Sequence, residues 1–118
     1  MQIHHYAMEV RNLEKSKQFY KEILHFQEET SIQFLGENII FLTLGGIRLE
    51  LIESRDLQYQ HDRMHLCFQV KNLKDTINDL AIKQMRIIEG PYHLENGWKI
   101  VFFEGPDGEV LEFLESEK

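Results

Sequence analysis

The sequence predicts an α+β fold of two paired β-α-β-β-β modules, and three observations predict it. The chain repeats itself: His5-Tyr6-Ala7-Met8-Glu9-Val10-Arg11-Asn12-Leu13 returns 60 residues on as His65-Leu66-Cys67-Phe68-Gln69-Val70-Lys71-Asn72-Leu73. Likewise Leu49-Glu50-Leu51-Ile52-Glu53-Ser54 returns 62 residues on as Leu111-Glu112-Phe113-Leu114-Glu115-Ser116. Within each copy, apolar residues alternate as in a strand, then recur at helical spacing, then alternate again. One helix over a few strands cannot close a core, so the two copies must pack together.

The elements follow in order. Residues 2–10 alternate, with His4, Tyr6, Met8 and Val10 on one face and Ile3, His5, Ala7 and Glu9 on the other. Asn12 is a good helix N-cap and Glu14 suits a first turn. Leu13, Ser16, Phe19, Tyr20, Ile23 and Leu24 then mark one helical face, a helix of about 12 residues. Strands are expected near 30–34, 38–44 and 47–53, with Gly45-Gly46 as the tight turn between the last two. In the second copy 65–70 is a strand and Asn72 caps a helix whose apolar positions are Leu73, Ile77, Leu80 and Ala81. Strands follow near 86–89, 99–103 and 109–115, the last introduced by the turn Gly105-Pro106-Asp107-Gly108. The polar stretch 54–63 reads as the linker, so that one domain, 1–118, consists of a module at 1–58 and a module at 62–118.

Composition narrows the function. The formal charge of −7 argues against nucleic acid, whose phosphates call for clustered Lys and Arg. No apolar run approaches the roughly 20 residues that span a bilayer, and the N-terminus lacks the pattern of a secretory signal, so a cytoplasmic protein without membrane partners is expected. The single cysteine, Cys67, forms no intramolecular disulfide; its place in an apolar strand pattern predicts a buried, inert thiol.

A duplicated module keeps core residues in register because packing demands it. This one also keeps a histidine and a glutamate, which packing alone does not require. In the last strand of each copy Leu49 and Leu51 match Leu111 and Phe113 as the helix-facing set, so Glu50 and Glu112 lie on the opposite face. By the same alternation His5 and His65 point away from the helices. All four then look into the concave side of the sheet. Two imidazoles and two carboxylates suit a borderline divalent ion such as Zn, Ni, Co, Mn or Fe, with positions left open for substrate. Glu53 and Glu115 repeat as well, but on the helix side, and read as edge or surface charges. Glu9 shares a face with His5, Gln69 with His65, and Arg48 with Glu50, so these three are candidates for binding a small-molecule substrate. Trp98 and Lys99 join them, in a possible flap at 96–99. His4 falls on the face opposite His5 and, like His25, His61 and His93, is read as structural.

These residues resemble a known pattern. Ile3-His4-His5-Tyr6-Ala7-Met8-Glu9-Val10 with Asn12-Leu13 and Phe19-Tyr20, then Arg48-Leu49-Glu50-Leu51, His65-Leu66-Cys67-Phe68-Gln69-Val70 and Gly105-Pro106-Asp107-Gly108-Glu109-Val110-Leu111-Glu112-Phe113 are similar to the vicinal oxygen chelate superfamily. That superfamily includes glyoxalase I, methylmalonyl-CoA epimerase, fosfomycin-resistance thiol transferases, bleomycin resistance proteins and extradiol dioxygenases. The resemblance implies a glyoxalase-like fold, with the two modules forming an open, cup-shaped mixed sheet, and a His, Glu, His, Glu metal set at His5, Glu50, His65 and Glu112. It implies a lyase or isomerase that moves a proton next to a carbonyl, the ion stabilising an enediolate and Glu112 or Glu50 carrying the proton. It also implies a homodimer, since small two-module chains of this kind often pair. Two departures point away from glutathione: Glu9 stands where bacterial glyoxalase I has an arginine, and Ser54 where the family has an asparagine. The alternatives are a metal-dependent thiol transferase of the fosfomycin-resistance type and a drug-binding resistance protein without chemistry.

Overall fold

A computed structural model describes residues 2–34, 36–54 and 65–116. The expected linker and His61 fall mainly or wholly outside the described residues. The chain divides into two compact units, Met1–Tyr59 and Gln60–Lys118, and each repeats one plan. The first runs β1 (Tyr6–Val10), α1 (Leu13–Glu22), β2 (Gln27–Phe34), β3 (Glu37–Leu44) and β4 (Ile47–Glu53). The second runs β5 (Leu66–Gln69), α2 (Leu73–Ile82), β6 (Ile87–His93), β7 (Lys99–Glu104) and β8 (Val110–Glu115). Each unit is a four-stranded mixed sheet, in the orders β1-β4-β3-β2 and β5-β8-β7-β6. In each, the first strand runs parallel to the last and the remaining pairs are antiparallel. A parallel first pair requires a crossover, and the helix supplies it.

The helices begin where the sequence places their caps. The Asn12 side chain accepts a hydrogen bond from the Lys15 N–H at 3.0 Å, and Asn72 accepts from Asp75 at 2.9 Å. A second acceptor comes from the far end of each module. Glu53 takes the Leu13 N–H at 3.1 Å and Glu115 takes the Leu73 N–H at 2.7 Å. The two glutamates are therefore not surface charges. Each satisfies an otherwise orphaned first-turn donor and sets a negative charge against the positive end of the helix dipole. They also tie the last strand to the helix that covers it. Glu53→Ala and Glu115→Ala are each expected to cost about 1–2 kcal/mol, read by urea unfolding, with faster amide exchange at Leu13 or Leu73.

The cores lie under the helices. In the first unit Val10, Leu13, Tyr20, Leu24, Phe26, Ile40, Leu42, Leu49 and Leu51 are buried; in the second Leu73, Leu80, Val101, Phe103, Leu111 and Phe113 are. Helix α1 packs on β3 and β4, which leaves β2 at the sheet edge exposed along its whole length. That strand starts at Gln27, earlier than its pattern suggests, because its polar start is held by pairing with β3 and not by burial. Strand β1, conversely, starts only at Tyr6, so His5 lies just ahead of it. His25 and Gln84 take equivalent left-handed positions after the two helices, at φ 67° and 65°. The backbone turns back there, with Phe26 N–H on the Tyr20 carbonyl and Met85 N–H on that of Leu80.

The turn before β8 explains its glycine. Glu109 is buried, and its carboxylate accepts the Asp107 N–H at 2.7 Å. A Cβ on Gly105 would lie 2.4 Å from the Glu109 carboxyl carbon, so only glycine leaves room for that side chain.

Candidate metal centre

Pairing register brings one histidine and one glutamate together in each unit. Glu50 in β4 is flanked by Ala7 on β1 and Phe41 on β3. Glu112 in β8 is flanked by Cys67 on β5 and Phe102 on β7. Because Leu49, Leu51, Leu111 and Phe113 are buried under the helices, both glutamates stand on the opposite face. His5 Nε2 lies 3.1 Å from Glu50 Oε1, and His65 Nε2 lies 2.8 Å from Glu112 Oε1. Both carboxylate side chains are 13% exposed, against 31% and 44% for the imidazoles. Each pair is thus open on the histidine side.

Two further residues of the site were missed in the sequence. The Phe41 ring meets His5 edge to face at 5.3 Å between centroids, and Phe102 meets His65 likewise at 6.1 Å. Each phenylalanine also faces the glutamate across the ladder, so it packs beside both members of its pair. The signal was present: Ile40-Phe41-Leu42 and Val101-Phe102-Phe103 stand 61 residues apart, in the same repeat that marked the histidines.

The remaining candidates are placed as follows. Glu9 faces Ile52 and Gln69 faces Leu114, each one alternation beyond its glutamate's register position. Gln69 donates to Ser116 Oγ at 2.9 Å. Arg48 is engaged elsewhere: Nε and Nη2 hold the two Glu29 oxygens at 2.7 and 2.9 Å, and Nη1 donates to the His4 carbonyl at 3.2 Å. That hydrogen-bonded fork holds the Glu29 carboxyl below its usual range and raises the guanidinium in turn. Trp98 is 40% exposed in the turn between β6 and β7, so it is not a core residue. Lys99 Nζ stands 4.0 Å from Glu115 Oε2.

Two expectations change. Cys67 is exposed, because β5 turns it to the Glu112 face and not to the core. Its thiol is nevertheless pushed up to about 11, by desolvation of the sulfur first and then by the charge and hydrogen bond of Glu112. At neutral pH it stays protonated, the unreactive form. His4 is not on the helix side either: its ring lies against His5 and Phe41, with Nδ1 2.8 Å from His5 Nδ1. Strand alternation does not govern it, since it precedes the first strand.

The donors fit a divalent ion. Nitrogen and oxygen ligands bound at about 2.1 Å and at right angles stand about 3.0 Å apart, close to the spacing of both pairs. The same spacing makes a hydrogen bond when no ion is present. Among the described residues no group of three or more His, Cys, Asp or Glu side chains gathers to hold a metal; each unit offers one imidazole and one carboxylate. No helix among the described residues is long and apolar enough to cross a membrane.

Known proteins share this arrangement of elements. Residues 2–113 match the Glyoxalase/Bleomycin resistance protein/Dioxygenase superfamily. The chain is 30% identical over 127 residues to mitochondrial methylmalonyl-CoA epimerase of Homo sapiens, across 96% of this chain and 72% of that protein. It is 27% identical to metallothiol transferase FosB of Staphylococcus epidermidis, across 93% of this chain and 78% of that protein. Among solved structures, a glyoxalase family protein from Enterococcus faecalis superposes with a TM-score of 0.83 at 28% identity, across 97% of both chains. With the family match spanning residues 2–113 and the likeness of fold extending over 97% of the chain, the chain belongs to the glyoxalase/bleomycin resistance protein/dioxygenase superfamily.

Proposed function

We propose that this protein is a divalent-metal-dependent lyase or isomerase that moves a proton on the carbon next to a carbonyl. The observation that carries the reading is the His–Glu pair built twice, at equivalent register positions and against equivalent phenylalanines. His5, Glu50, His65 and Glu112 would hold the ion, which supplies electrostatic stabilisation of negative charge developing on a substrate oxygen. The chain's own residues do the rest. Phe41 and Phe102 shield one side of each pair from water, and Glu112 or Glu50 takes and returns the proton.

A thioester of coenzyme A suits this site better than a glutathione adduct. The 30% identical relative is a methylmalonyl-CoA epimerase, and Glu9 places a negative charge where the glyoxalase resemblance would want a positive one. Each pair being half a set, we assign the protein to homodimers with centres at or near the interface; a monomeric mass by light scattering at micromolar concentration would remove that assignment.

Elemental analysis after incubation with Zn, Ni, Co or Mn is expected to find a bound ion, and loss of it in chelator should abolish deuterium exchange at the carbon next to the carbonyl of acyl-CoA or hemithioacetal substrates. No metal above background with any of these ions would sink the reading. A thiol transferase is the second reading, favoured by the likeness to FosB; consumption of a thiol with fosfomycin, and no carbon-bound exchange, would select it. Ligand binding without metal would select a drug-sequestering protein instead.

A further inference from the structure

His4 has no counterpart among the four ligands of the proposed centre, yet it makes the closest contact to one of them. Its Nδ1 lies 2.8 Å from His5 Nδ1, with the rings nearly perpendicular at 84°. His5 Nε2 faces Glu50, so the two nitrogens of His5 have separate partners. The backbone of His4 is itself fixed: its carbonyl takes a hydrogen bond from Arg48, whose fork is locked on Glu29 at the β2 bulge. The second copy has Met64 in place of His4 and Val110 in place of Arg48. The device therefore belongs to the first pair.

We propose that His4 is a positioning residue that holds His5 in the tautomer each state of the site needs, by donating to it when the site is empty and accepting from it when a divalent ion is bound. The inference rests on the metal-dependent reading above. When a neutral His5 donates Nε2–H to Glu50 in the metal-free site, its Nδ1 carries a lone pair and accepts a hydrogen bond from His4 Nδ1–H. A ligand imidazole instead offers its Nε2 lone pair, which puts the proton on Nδ1; His4 Nδ1 must then accept. A carbonyl or carboxylate in this place could only accept, whereas a second neutral imidazole serves in both directions. The exchange balances: the bridging proton passes from His4 to His5, His5 Nε2 releases one to water, and His4 Nε2 takes one up. No net charge changes on the pair.

The test uses 15N-labelled protein, with imidazole tautomers read from long-range 15N–1H correlations before and after zinc is added. The natural protein should show His4 protonated on Nδ1 and His5 on Nε2 when metal-free, and both reversed with zinc. His4→Phe keeps a ring against Phe41 but removes the partner; metal-free His5 should then populate both tautomers, and zinc affinity by chelator competition should fall about 10–100-fold. His4→Asn restores a short polar group that can donate or accept, and should recover most of that loss. The metal-free tautomer of His65 should be the same in every variant. The proposal is overturned if His4→Phe leaves the His5 tautomer and zinc affinity unchanged, or if the Asn variant is as weak as the Phe variant. Thermal unfolding identifies a His4→Phe variant that has lost its fold, and the Asn comparison then decides. Should the natural protein bind no zinc, the metal reading fails, while the metal-free tautomers still settle whether His4 holds His5.

Discussion

Glu112→Gln and Glu50→Gln are expected to lower turnover by about 10²–10⁴-fold for whichever glutamate carries the proton. Glutamine keeps the shape and one oxygen but cannot take up a proton as a base. The two carboxylates are equally shielded, yet their neighbours differ: Ala7 faces Glu50 where Cys67 faces Glu112. Comparing the two variants therefore assigns the roles. Metal content must be measured alongside kcat, because a variant that keeps its ion at full occupancy has lost chemistry and not assembly. His25→Asn is the control. That position is a left-handed backbone site after α1, which asparagine tolerates, and turnover should hardly change. If both Gln variants keep metal and near-normal rates on a substrate that exchanges its carbon-bound proton, neither glutamate is the base.

Phe113→Ala should cost about 3–5 kcal/mol of stability, a large share of the roughly 5–15 kcal/mol that holds a typical domain. The ring is 3% exposed, stacks on Phe68 at 5.5 Å and meets Phe103 edge to face at 5.7 Å. Alanine would remove both aromatic contacts and leave a cavity between β8 and α2. The substitution sits one residue from Glu112 but points the other way, so equilibrium urea unfolding is the direct readout. Zinc affinity of the fraction that stays folded should be nearly unchanged. A loss below about 1 kcal/mol, the range of ordinary surface substitutions, would mean that this face of β8 is not core.

The sequence by itself determined the two-module plan, the helix caps and the face on which Glu50 and Glu112 stand. Each rests on local physics. Alternation along a strand, spacing along a helix and the side chain of Asn12 or Asn72 act within a few residues, so they are legible without any partner. The repeat added what locality cannot, because two copies of one module report the same constraint twice.

Tertiary structure alone decided what depends on register and on chain outside regular elements. Phe41 and Phe102 became site residues because β3 and β7 slide into the register that sets them opposite Glu50 and Glu112. Glu53 and Glu115 became helix caps because the last strand of each module returns beside the start of its helix. Cys67 became exposed because the face it shares with Glu112 is not a core face; alternation gives the side of a residue and not its burial. His4 escaped strand parity since β1 begins only at Tyr6; ahead of that residue no sheet ladder fixes the side-chain direction. Arg48 met Glu29 through a bulge in β2, where the ladder skips a residue. Apart from His4, the deciding contact joins residues far apart in the chain, and a pattern read along one segment contains no record of which distant segment will lie beside it.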